Sequence, residues 1–192
     1  MQIAFYNFDL SLVPSSLRDR AKKYLDTDDI EGALSTMSSH VRLDFVYMNQ
    51  FPLLNRGALE KAFINAYMSH NVRMRPIDPD VIEEIFENCD FEYMREELSP
   101  PPVKKKRYKL YRGTLNAKEE LTISPGYSWT SSYKVAESFA RPREGVENAD
   151  PAVLVCYAGH RNIAFYTNDR EEEEYFLHWL PPNRVKIHTG KN

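Results

Sequence analysis

The stretch SPPPVKKKR, Ser99 to Arg107, separates two kinds of hydrophobic periodicity. Three consecutive prolines cannot continue a helix and favour an extended polyproline segment. Before this stretch, apolar residues recur at helical spacing. After it they come in short runs rich in β-branched and aromatic residues. Many strands with few helices imply a mainly antiparallel core rather than alternating βαβ units. The expected fold class is therefore α+β. A helical N-terminal region covers 1–98, a Pro/Lys-rich linker 99–107 and a mainly antiparallel β-core 108–192.

The first region reads as a series of amphipathic helices. Pro14-Ser15-Ser16 can start one whose Leu17, Ala21, Tyr24 and Leu25 form an apolar stripe. Asp28 or Asp29 can cap the next, with Ile30, Ala33, Leu34 and Met37 on one face. VRLDFVYMNQF fits a strand by alternation and a helix by Leu43, Val46 and Tyr47, and the helix is preferred. Asn55 can cap the helix carrying Leu59, Phe63, Ala66 and Tyr67, which closes at His70-Asn71. Asp78-Pro79-Asp80 starts another by the N1-proline rule. Core packing accounts for all these aromatic and aliphatic residues.

Charge divides with the periodicity. Residues 1–100 hold 10 Lys/Arg against 17 Asp/Glu, and residues 101–192 hold 15 against 11. The second half can thus favour an anionic ligand. No apolar run approaches the roughly 20 residues of a membrane span. The N-terminus lacks a basic leader, so the expectation is a cytoplasmic protein without a membrane partner. Cys89 and Cys156 are too few for a disulfide framework or a zinc cluster and read as buried or half-buried thiols. The five histidines have no ligand spacing, so no metal is expected. There is no Gly-rich turn of the dinucleotide-binding type and no nucleophile elbow. Lys104 to Arg107 can touch nucleic-acid phosphates, although a solvated basic tetrad is the blander account.

Strands are expected over Tyr108–Thr114, Gly126–Ser131, Ala152–Ala158, Asn162–Tyr166, Glu174–Leu180 and Arg184–His188, with one helix, Tyr133–Ala140, among them. Three pieces of this half carry chemistry. KLYRGT ends on Arg112, whose guanidinium can bind phosphate bidentately, and on Gly113, which lets a ligand approach the backbone. GYSWTSSYKVAESFA is a hydroxyl-bearing strand running into a helix. DREEEEYFLHWL sets Glu172 and Glu174 before an apolar strand. Residues two apart on a strand share a face, so Glu172 and Glu174 point together and Glu171 and Glu173 point oppositely. The second pair takes over if the strand begins one residue earlier. Singly, each piece also fits a surface ion pair, an ordinary strand before a Ser-capped helix, or a solvated acidic turn.

Taken in this order, over about residues 108–190, the pieces resemble the arginine–serine–glutamate clade of mono-ADP-ribosyltransferases. The resemblance implies an ADP-ribosyltransferase-type β-core, NAD as co-substrate and no metal. It implies transfer of ADP-ribose to a macromolecule, with a protein arginine as the favoured acceptor. Arg112 would clamp the pyrophosphate. Glu174, the second glutamate of the E-x-E motif, would stabilise the oxocarbenium-like transition state, and Glu172 would align or deprotonate the acceptor. Gly113, Ser128, Trp129, Thr130, Ser131 and Phe139 would line the NAD pocket. Trp129 stands where the family has the first serine of its Ser-Thr-Ser triplet, so Ser128 or Ser131 must supply that hydroxyl. Arg141 or Arg143 would reach phosphate from the loop after the helix. Tyr166 and Arg170 would read the acceptor from the loop before the glutamates. The implied setting is a bacterial or phage effector, a toxin among them, acting in the bacterial or host cytosol. Three alternatives stay open: an NAD glycohydrolase, a nucleic-acid ADP-ribosyltransferase, and an inactive binding module on the same fold.

Overall fold

The computed structural model describes residues 7–70, 78–142 and 149–189. The chain divides into two compact units, Met1–Asp90 and Phe91–Asn192. The division falls ahead of the proline-rich stretch, so Phe91–Leu98 belongs with the sheet. No helix among the described residues is long and apolar enough to cross a membrane.

The first unit is helical: α1 (Arg18–Asp26), α2 (Ile30–Ser35), α3 (Arg42–Met48), α4 (Gln50–Asn55), α5 (Leu59–Ser69) and α6 (Pro79–Phe86). The capping signals act as elementary helix chemistry requires. Asp29 accepts from the Gly32 amide at 2.8 Å, and Asp78 caps α6 with Pro79 in its first turn. Asn55 does not cap α5. It is the last residue of α4, an element for which the sequence pattern names no helix of its own. Gly57, at φ +63°, reverses the chain there, and α5 starts after Ala58. The core collects Leu25, Leu34, Phe45, Leu53, Phe63 and Ile85, all buried, with Phe63 edge-on to Phe86 at 5.4 Å.

The second unit is a six-stranded antiparallel sheet in the order β4-β5-β2-β1-β3-β6. Its strands are β1 (Arg107–Thr114), β2 (Ser128–Thr130), β3 (Ala152–Gly159), β4 (Ile163–Thr167), β5 (Glu174–Leu177) and β6 (Val185–Ile187). Three helices accompany them: α7 (Phe91–Tyr93), which runs into a π-helical turn at Met94–Leu98, α8 (Ala117–Thr122) and α9 (Tyr133–Phe139). Antiparallel pairing throughout fits short runs joined by turns.

The two faces of the sheet are unlike. Tyr108, Leu110, Trp129, Leu154, Cys156, Tyr175 and Leu177 share one face and form the hydrophobic core, closed by Ala117 of α8. The opposite face is crossed by α9 at Gly113. A Cβ on Gly113 would sit 1.8 Å from the Ala136 carbonyl oxygen, so only glycine lets the helix lie so close.

The proline-rich stretch is folded onto this unit. Pro101 is buried, and the Ser99 hydroxyl donates to the Tyr166 carbonyl at 2.5 Å. The Tyr108 hydroxyl donates to the Val103 carbonyl and accepts from the Lys105 amide. Lys104 and His160 hold the two oxygens of Glu96 at 2.8 and 2.7 Å. These bonds, Lys104's first, lower the Glu96 carboxyl to about 2.

Candidate active site

Strand order brings the serine strand beside the glutamate strand. β2 pairs β5 with Thr130 opposite Glu174 and Ser128 opposite Phe176. Residues two apart face the same way, so Ser128, Thr130 and Glu174 share the α9 face of the sheet. The Ser128 hydroxyl donates to Glu174 Oε1 at 2.5 Å across the strands. Of the two hydroxyls expected to replace the missing first serine, Ser128 is the one on Glu174. The Ser131 hydroxyl faces the other way and donates to Glu173.

Glu172 does not lie on a strand. The chain from Asn168 to Glu173 is a tight turn, with Glu171 at φ 59° and Glu173 at φ 46°. Two non-glycine residues in the left-handed region mark a backbone held by its surroundings. The holders are visible. Asn168 accepts from the Glu173 amide through Oδ1 at 3.0 Å and from the Glu171 amide through its carbonyl. The Thr130 hydroxyl donates to the Glu172 carbonyl at 2.6 Å and accepts from the Ser132 amide. Those bonds fix the Glu172 backbone, and its carboxylate feels the charge of Glu174. Burial, then the Glu174 charge, push the Glu172 carboxyl above its ordinary value, against the opposing pull of Arg170. A carboxylate held by a hydroxyl, beside a second whose neutral form is favoured by burial, suits a site that stabilises a cation and moves a proton.

Several expected site residues sit elsewhere. Arg112 does not face Glu174. Register sets Tyr111 opposite Thr130, so Arg112 projects from the core face of the sheet. There its Nε and Nη2 donate to Glu120 of α8 at 2.7 and 3.1 Å, and Nη1 donates to the Ser128 carbonyl at 2.9 Å. The guanidinium fork is occupied by protein. Thr114 adds a 2.7 Å bond to the same carboxylate. Gly113 serves the approach of α9, not of a ligand. Trp129 is 1% exposed in the core and donates its indole N–H to the Gly126 carbonyl, so it lines no pocket. Tyr166 belongs to β4, its ring edge-on to Tyr175 at 4.9 Å, and not to the loop before the glutamates. Phe139 and Arg141 are exposed at the end of α9, where Arg141 pairs Glu137 at 3.5 Å. Arg143 lies outside the described residues.

Glu120 and Asn168 were not foreseen. α8 is a single short helix with Ala117 and Leu121 as its only apolar pair, too little periodicity to reveal which way Glu120 points. No protein-family model, curated protein or solved structure matches the chain.

Proposed function

We propose that this chain is a mono-ADP-ribosyltransferase, its sheet an ADP-ribosyltransferase-type core, that cleaves NAD and transfers ADP-ribose to a macromolecular acceptor, a protein arginine in first place. The observation that carries this reading is the Ser128–Glu174 hydrogen bond with Glu172 beside it. In this reaction the bond between ribose C1′ and the nicotinamide nitrogen breaks, and nicotinamide leaves with the electron pair. Positive charge grows on the ribose, where Glu174, fixed by Ser128, stabilises it. The acceptor nitrogen then bonds to C1′ and yields its proton to Glu172. Arg112 contributes by bracing Ser128 through its carbonyl. Arg141, at the end of α9, and Arg170, in the turn before Glu174, are assigned to the phosphates of NAD.

The test is incubation of the protein with labelled NAD and a bacterial lysate, wild type beside Glu174→Gln, with protease and nuclease treatment of the product. A labelled protein band lost in Glu174→Gln is the expected result. Free ADP-ribose alone identifies a glycohydrolase. Absence of NAD turnover, or turnover equal in the variant, overturns the reading.

A further inference from the structure

The three adjacent strands β1, β3 and β6 contain no aspartate or glutamate, yet they carry four of the chain's cations. Register sorts these residues by face. Lys109 stands opposite Tyr157, Tyr111 opposite Val155, and Val155 opposite Lys186. With Arg107 they occupy the face turned away from the hydrophobic core, whereas Arg112 is on the core side. α9 crosses that face only at its Gly113 end. Beyond it Arg107, Lys109 and Lys186 are exposed, and Tyr157 is 53% exposed.

Aromatic rings continue the surface towards α9. Tyr133, 40% exposed, meets Tyr111 edge-on at 5.7 Å, and His188 lies 5.1 Å from Tyr133 and 5.5 Å from Tyr111. A single exposed tyrosine needs no explanation. Solvated rings interleaved with cations, on a sheet face whose strands lack carboxylates, are different. Cations alone would suit any polyanion. The rings add stacking, which favours unpaired bases over duplex, whose bases are already stacked.

We propose that the exposed face of β1, β3 and β6 binds single-stranded nucleic acid, with bases stacked on Tyr157 and Tyr133 and phosphates on Arg107, Lys109 and Lys186. Tyr111 stands in the same cross-strand row as Thr130 and Glu174, so the surface is continuous with the candidate site. The binding does not depend on NAD chemistry.

The test is fluorescence anisotropy of the full chain with a labelled single-stranded oligonucleotide, from about 50 mM salt upward. Three phosphate contacts predict a log–log salt slope of about −2. Lys109→Ala with Lys186→Ala flattens that slope. Tyr157→Ala weakens binding roughly tenfold without changing it. Binding is measured in the absence of NAD, which separates this surface from the transferase reading. Failure to bind, equal competition by duplex or heparin, or a Tyr157→Ala variant of wild-type affinity overturns the proposal.

Discussion

The two faces of β2 and its neighbours put the same chemical groups to opposite use. On the core side, Arg112 and Glu120 form a forked pair completed by Thr114 and the Ser128 carbonyl, with side-chain exposures of 26% and 14%. Charge there is neutralised within the fold. On the α9 side, Glu174 accepts from the Ser128 hydroxyl across the strands, and its charge bears on the Glu172 carboxyl. The contrast shows how one strand of three residues serves both ends. Trp129 anchors the core, while Ser128 and Thr130 hold the two glutamates. An ion pair whose three guanidinium nitrogens all bond to protein is architecture, and a pair of neighbouring carboxylates is the better candidate for chemistry.

This contrast can be broken experimentally. Trp129→Ala, on the core side, is expected to cost about 3–5 kcal/mol in urea unfolding. Glu174→Gln is expected to lower NAD turnover by about 10²- to 10³-fold while the unfolding midpoint stays near wild type. Arg112→Ala is expected to cost roughly 2 kcal/mol of stability, because it strands Glu120 with little solvent. An Arg112→Ala variant as stable as wild type, with a raised KM for NAD, would return the guanidinium to the ligand. Ser128→Ala is expected to cost about 1 kcal/mol and to lower kcat more than it raises KM.

The smallest effect concerns pH. The Glu172 carboxyl titrates above its ordinary 4.5, so the folded state favours its neutral form. Its contribution to stability is therefore full below that value and is lost as pH rises through the raised one. Glu172→Gln should match wild type in acid and slightly exceed it near neutrality. The gain is small because the group remains partly exposed and solvent screens its charge. Identical pH profiles for the two proteins would remove Glu172 from the neighbourhood of Glu174.

Much of the fold was legible before any coordinates. The change of period near Ser99 marked where helices give way to strands, and all six strands fall where short aromatic and β-branched runs stand between turn residues. Asp29, Asp78 and Pro79 announced their helices because a cap is a local hydrogen bond between near neighbours in sequence. Phe91–Leu98 is helical as its pattern suggests yet falls in the second unit, since helical character says nothing about which unit an element packs against. The pairing of Glu174 with a nearby serine was also foreseen, but not which serine.

What sequence alone determined were the properties that depend on neighbours a few residues apart: element type, caps, and the alternation that separates Ser128 from Trp129. Tertiary structure decided the rest. A strand pattern cannot tell which neighbour it will meet or which of its faces will be solvated, because a one-residue shift of register exchanges them. Arg112 looked like a ligand clamp until pairing with β2 and β3 set it on the core face beside Glu120. Glu172 looked like a strand residue until Thr130, on another strand, held its carbonyl in the turn that Asn168 ties locally. Register and packing are non-local, and they alone placed the charges.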